Sequence, residues 1–323
     1  MILGLLRTKE PLRQKRLILK NCPHYYPTEV RKYQKMAQKT ATLGLIQMSM
    51  AAEVDKNLAH AVEMIEIAAK KGADLVCLPE LFTTKYFAQN ENPGGQRESK
   101  ILDTIPGLVS KELSSCARKN GVVIIGGSIY EISSNNTYNT STIFDQKGNM
   151  IGIYRKTHIP QDQYYYEQEY FAPGDTGFRV FETDFGKIGI MICYDQWFPE
   201  GARICALLGA DMVFYPTAIG TVKGLRQSEG NWHRAWENVM RGHAIANGMI
   251  VAGVNRVGKE DLMDFWGGSF VIGAFGKTLK RAGKNEIVLI CQVDLEHGRN
   301  VREGWRFLEN RRPECYSRLV EKA

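Results

Sequence analysis

From residue 41 onward, short apolar runs alternate with longer stretches in which apolar residues recur every three or four positions. The first pattern is that of buried strands and the second that of helices with one face on a core, so together they predict an α/β protein. Thr42–Met48 and Asp74–Pro79 read as strands. Between them Val54, Leu58, Ala61, Met64, Ile65 and Ala68 share one helical face, and Lys70, Lys71 and Gly72 supply the stop. A polar loop containing YFAQNENPGG follows, then a helix over about 108–119 and a strand at Val122–Gly127. Asn139–Phe144 and Met150–Lys156 flank the turn cluster DQKGN and read as a hairpin, as do Phe178–Thr183 and Lys187–Cys193 around DFG. Helices are predicted near 199–209 and 232–247, with strands at Met212–Tyr215, Met249–Asn255, Ser269–Ile272 and Ile287–Val293. No long linker or repeat interrupts 41–310, and the strands are too many for one small sheet.

Composition narrows the class. With 44% hydrophobic residues, the 323-residue chain can bury a substantial core. No run approaches the roughly 18–20 apolar residues needed to span a bilayer, so no membrane association is expected. The opening MILGLLR is too short in apolar residues for a signal peptide. Seven cysteines without CxxC or Cys/His ligand spacing argue against a zinc site or a disulfide framework, and point to a reducing, cytoplasmic setting.

The net charge of +7 changes the picture only at one end. Residues 1–35 carry nine Lys/Arg and two Glu, while the remainder balances at 33 of each sign. A nucleic-acid surface would place its charge on the folded body, so no nucleic-acid partner is expected. Residues 1–40 are therefore read as a basic extension, with Met36 a plausible ordinary start, and 41–323 as the folded domain. Gly126-Gly127 and Gly267-Gly268 read as tight packing or bends, not nucleotide loops.

Three reactive side chains end predicted strands: Glu80 after VCLP, Lys156 after IGIYR and Cys193 after IGIMI. Ligand sites in α/β proteins are built at the carboxyl ends of strands. A carboxylate there can take a thiol proton, the thiolate can attack a carbonyl, and a fixed cation can hold the developing oxyanion. A helix starting after Cys193 would lower the thiol pKa further. The competing reading is equally concrete: a strand-end cysteine packs a core, and a strand-end Glu or Lys is solvated. His158 and His243 could each pair with a cysteine or serve a structural role. Spacing alone leaves these alternatives open.

LVCLPELF, YRKTHIP, EQEYFAPGD and ICYDQWFPE, in that order, resemble the successive blocks of the nitrilase superfamily of carbon–nitrogen hydrolases over about 41–316. The resemblance implies a Glu–Lys–Cys triad of Glu80 as base, Lys156 as oxyanion-stabilising cation and Cys193 as nucleophile. It also implies a second glutamate, Glu167, with Glu169 as its rival in EQE, and an oxyanion contact from the backbone N–H of Tyr194. Trp197, beside Gln196, is a candidate substrate contact. The implied fold is a four-layer α-β-β-α sandwich, with no cofactor and no metal. The implied partners are a small ureido or amide substrate and further copies of the same chain, as a homodimer or larger homo-oligomer.

Within the superfamily, YFAQNENP, DQWFPE, FYPTAIG and NRRPECYSRL resemble the N-carbamoylputrescine amidase branch. N-carbamoyl amino acid hydrolysis, as for N-carbamoyl-β-alanine, is the alternative. It calls for an arginine clamp on the substrate carboxylate, which only Arg203, Arg234 or Arg241 could supply. An aliphatic amide or nitrile substrate is a further alternative. The segment TVKGLRQSEGNWHRAW departs from the acidic loop expected of the putrescine branch, and Tyr164, Tyr165 and Tyr166 are the available aromatic faces for a cationic tail. A non-catalytic interaction protein using its basic arm is the reading from another class.

Overall fold

The computed structural model describes residues 39–95, 99–225 and 227–321. The expected extension, residues 1–40, lies almost wholly outside them. In chain order the first strands are β1 (Thr40–Gln47), β2 (Leu75–Cys77), β3 (Val123–Ile125), β4 (Ile129–Ser133), β5 (Asn136–Phe144) and β6 (Met150–Arg155). There follow β7 (Val180–Thr183), β8 (Gly186–Ile190), β9 (Met212–Thr217), β10 (Gly220–Val222) and β11 (Ile250–Asn255). The last are β12 (Val257–Glu260), β13 (Met263–Trp266), β14 (Phe270–Ile272), β15 (Thr278–Arg281) and β16 (Ile287–Asp294). Among the described residues five α-helices accompany them: α1 (Val54–Lys70), α2 (Leu108–Asn120), α3 (Pro199–Leu207), α4 (Trp232–Asn247) and α5 (Leu295–Trp305).

Two large sheets share one plan. The first runs β16-β1-β2-β3-β5-β4 with β6 added to β5, and the second runs β15-β14-β11-β9-β8-β7. In each, three parallel strands form the centre (β1, β2, β3 and β8, β9, β11) and antiparallel strands flank them. A parallel arrangement puts the carboxyl ends of all three central strands on one side, so both sheets aim their loops at common ground.

Alternation along the strands accounts for the layers. Leu43, Leu45, Leu75, Cys77, Val123 and Ile125 face the second sheet and join a core with Ile188, Ile190, Met212 and Phe214. Ile46, Val76 and Ile124, of opposite parity, meet Leu58, Ala61 and Ile65 of α1 and Leu113 and Ala117 of α2. Trp236 and Met240 of α4 and Ala202 and Cys205 of α3 cover the far face of the second sheet. The layers are therefore α-β-β-α, the architecture implied by the sequence.

Most predicted elements appear within two or three residues of their expected bounds. Two differences matter. YFAQNENPGG is not simply a polar loop: Tyr86, Phe87, Ala88 and Gln89 are buried, and Phe87–Gln89 forms a 3-10 turn. The Phe87 ring packs with Tyr130, Tyr170 and Phe171, and the Tyr86 ring with Tyr165 and Phe265, which makes burial favourable despite the polar flanks. Downstream, the sequence pattern did not reveal β4, α5 or the three-stranded sheet β10-β13-β12.

Candidate active site

Four strand ends converge on one buried cluster. Glu80 follows β2, Lys156 follows β6, Cys193 follows β8, and Ala218 follows β9. Parity at the end of β6 decides which cation enters. Arg155 turns toward Glu131 (2.6 Å) and Asp175 (2.9 Å), while Lys156, one residue on, points inward and is fully buried.

Lys156 Nζ donates to Glu80 Oε1 at 2.8 Å and to Glu167 Oε2 at 2.6 Å. Burial opposes the charged ammonium, yet the charges of Glu167 and Glu80 outweigh it and raise the lysine pKa well above its ordinary value. Lys156 is thus held protonated. Asn139 of β5 donates to Glu80 Oε1 at 2.8 Å, and Tyr86 OH donates to Glu167 Oε1 at 2.8 Å. Burial, reinforced by Glu80 and opposed by Lys156, pushes Glu167 up to about 7.

The two glutamates of EQE lie in different surroundings. Glu167–Glu169 is a 3-10 turn, which sends its first and third side chains to different surroundings. Glu167 is buried against Lys156, whereas Glu169 accepts from the backbone N–H of Asn92 and from Gln161 Nε2 (3.0 Å), tying down the 90s loop.

Cys193 sits on a sharp turn with φ of 42°, outside the region a non-glycine residue prefers. Asp195 holds that turn. Its Oδ2 accepts from Ile192 N (2.9 Å) and Tyr154 OH (2.7 Å), and its Oδ1 from His158 N (2.9 Å), with His158 Nδ1 at 2.7 Å. One buried carboxylate therefore ties the Cys193 turn to the chain on both sides of Lys156. His158 is committed to this bond and to stacking on Phe198 (3.7 Å between centroids), and His243 Nε2 lies 2.8 Å from the carbonyl of Gln196.

The expected lowering of the thiol pKa is not found. Residues Cys193–Trp197 form a 3-10 turn and the α-helix begins only at Pro199. Burial first, then the charge of Glu80, raise the Cys193 pKa well above its usual value, with Lys156 acting in the opposite direction. The Cys193 Sγ lies 4.0 Å from the carbonyl oxygen of Ala218.

Among the remaining sequence candidates, Tyr165 reaches the cluster. Its ring lies 5.7 Å from that of Tyr86, and burial, with the charge of Cys193 next, raises its pKa. Tyr194 and Trp197 are half-buried: Tyr194 packs on Phe198 at 5.4 Å, and Trp197 packs against the core between the sheets. Gln196 accepts from Trp236 Nε1 at 2.6 Å. Of the arginines considered for a carboxylate clamp, Arg241 is bound to Glu237 (2.9 Å), Arg203 lines an outer groove and Arg234 is exposed on the first turn of α4. Sequence reasoning missed Tyr86, Asn139 and Asp195. Only Tyr86 carried a usable signal, an aromatic residue six positions after Glu80.

Residues 42–303 match the model of the carbon-nitrogen hydrolase family. The chain belongs to that family, and it is an amide-hydrolysing enzyme of the nitrilase superfamily. The chain is 40% identical over 297 residues to the N-carbamoylputrescine amidase of Solanum lycopersicum, covering 88% of this chain and 97% of that one. It is 35% identical to the citrullinase of Francisella tularensis over 87% of this chain and 98% of that one. The crystal structure of a carbon-nitrogen hydrolase from Helicobacter pylori G27 superposes with a TM-score of 0.80 at 37% identity, covering 88% of this chain and 99% of that chain.

Proposed function

We propose that the protein hydrolyses a terminal ureido group, with N-carbamoylputrescine as substrate, giving putrescine, carbon dioxide and ammonia. The observation that carries the chemistry is the buried ammonium of Lys156 held between Glu80 and Glu167, whose charges all act on Cys193. Glu80 keeps a second buried oxygen, Oε2, without a hydrogen-bond partner among the described residues. In this reading that oxygen takes the thiol proton as Sγ attacks the ureido carbon. Lys156 and the backbone N–H of Tyr194 hold the oxyanion, and Glu167 holds Lys156. The proton returns to the departing ammonia, leaving an N-(4-aminobutyl)carbamoyl thioester on Cys193. Water, deprotonated by Glu80, resolves the thioester to the N-(4-aminobutyl)carbamate, which loses carbon dioxide to release putrescine.

The high resting pKa of the thiol fits this sequence of events. A thiol that ionises only as it attacks needs a base in contact, which a preformed thiolate would not. The substrate choice is supported by the N-carbamoylputrescine amidase relative named above, and by the engagement of Gln196 and Arg241 away from any carboxylate-clamping role. Aromatic faces at Tyr86 and Tyr165 suit the cationic tail of a diamine. Residues 41–323 form the hydrolytic unit in this reading.

Exposed Ile204, Leu207 and Leu208 near α3, with Leu319 and Val320 of the tail, favour association of copies through that face. Free thiols, including exposed Cys315, favour a reducing compartment, the cytoplasm. Ammonia release from N-carbamoylputrescine and N-carbamoyl-β-alanine, measured in parallel with Cys193→Ala as control, tests the substrate. Turnover of the first supports the reading, and preference for the second overturns it.

A further inference from the structure

Behind the cluster lies a second buried ion pair that the chemistry above does not use. Arg256, between β11 and β12, is fully buried. Its Nη1 donates to both oxygens of Glu260 at 2.8 and 2.9 Å. Its Nη2 donates to three backbone carbonyls of one turn: Glu80 (2.8 Å), Leu81 (2.6 Å) and Thr84 (3.2 Å). Glu260 in turn accepts from the backbone N–H of Tyr86 at 2.6 Å.

That turn needs holding. Leu81 has φ of 47°, a left-handed conformation that a γ-branched side chain rarely adopts, and it directly follows Glu80. Its N–H donates to Ser128 Oγ at 2.9 Å, and Gly127 passes so close that a Cβ there would meet the Pro79 carbonyl oxygen at 2.1 Å. The guanidinium fork satisfies carbonyls that a regular strand or helix would have paired, and its planar geometry does so in two directions at once, which a lysine cannot reproduce. The links close into a ring. Arg256 holds the Glu80 carbonyl, Glu260 holds Tyr86 N, Tyr86 OH holds Glu167, and Glu167 and Glu80 share Lys156.

We propose that Arg256, paired with Glu260, is a positioning residue that aims the Glu80 carboxylate at Cys193, coupling the end of the second sheet to the base delivered by the first. The proposal rests on the reading of Glu80 as the base. It touches neither substrate nor the reacting sulfur, so it acts on the rate of proton removal and not on substrate affinity.

The test uses the full chain with Arg256→Lys, Glu260→Gln, Glu80→Gln and the double variant Glu80→Gln/Arg256→Lys. Three quantities are measured: kcat and KM on the ureido substrate, the rate at which iodoacetamide alkylates Cys193 (followed by peptide mass), and Tm. Arg256→Lys is expected to lower kcat and the alkylation rate together by about tenfold or more, with KM within about threefold. The double variant should alkylate no more slowly than Glu80→Gln alone, because the arginine acts through that carboxylate. Glu260→Gln keeps an oxygen on the guanidinium and should shift both rates in the same direction by less; it decides the question if Arg256→Lys does not fold. A fall in Tm with kcat per titratable thiol and alkylation within about twofold of wild type overturns the proposal, as does a raised KM at unchanged kcat. Additive slowing in the double variant overturns it too. If wild type turns over no ureido compound, the substrate reading fails, and the alkylation series still decides the role of Arg256.

Discussion

The two sides of the second sheet break the ordinary rule of burial in opposite directions. At its carboxyl-end side, charged groups that proteins normally leave in water are buried: Glu80, Lys156, Glu167, Asp195, Arg256 and Glu260. Across α3 and α4, apolar groups that proteins normally bury are exposed, including Leu207, Leu208 and Ile245, beside a groove of about 1000 Å³ that also takes in Leu319 and Val320 of the tail. Buried charge persists only where every member is paired or has chemistry to do, and exposed hydrocarbon on this scale marks a contact surface. The first region is expected to answer to single-atom changes in charge. The second is expected to answer to changes in area, with little effect on chemistry.

The sharpest way to break this contrast is at the charge centre. Lys156→Met leaves two buried carboxylates without their cation. Activity should fall by about 10³-fold or more, and stability by about 3–5 kcal/mol, read from ammonia release and denaturant unfolding. Glu167→Gln is milder: it keeps a hydrogen-bonding oxygen for Lys156 but removes a charge, and should cost about 10- to 100-fold in kcat.

The same variant has a pH signature. The folded protein raises Glu167 from the ordinary 4.5 to about 7, so folding favours its protonated form. The stability it contributes is fully present below about 4.5 and is lost as pH rises to about 7. Activity, which in this account needs the charged partner of Lys156, rises over that window. Glu167→Gln should flatten both trends, in Tm and in kcat. A transition near 7 that survives in the variant assigns it to another group.

At the apolar face, Leu208→Asp with Leu319→Asp should lower the molar mass measured by light scattering while leaving kcat within about threefold. Smaller still is the exposed Lys56–Glu53 pair: Lys56→Ala should leave both Tm and activity essentially unchanged.

Glu80, Lys156 and Cys193 were legible because each interrupts an apolar run at a strand end, and the block resemblance then joined them. Their partners were not. Nothing local distinguishes Asn139, within the Thr- and Ser-rich β5, from a residue facing solvent, and Arg256 and Glu260 read as ordinary polar residues of a turn. Only the sheet register brings them to residues as far as 176 positions away. The strands β12 and β13 escaped because VGKE and MDFW are short and mix charges with apolar residues, and α5 because LEHGRNVREGW carries few apolar residues among its charged ones. The thiol pKa was misjudged for a related reason: the helix predicted near 199–209 starts a turn beyond Cys193, and the desolvation around the thiol could not be seen in one dimension.

The central claim is that Cys193 carries the substrate carbon while Glu80 and Lys156 drive its transfer. The most direct test is to quench the enzyme in mid-turnover with N-carbamoylputrescine and weigh the peptide that contains residue 193. The account predicts an N-(4-aminobutyl)carbamoyl adduct on that peptide, formed much more slowly in Glu80→Gln and absent in Cys193→Ala along with ammonia release. Ammonia release that persists in Cys193→Ala, or an adduct on another residue, contradicts it.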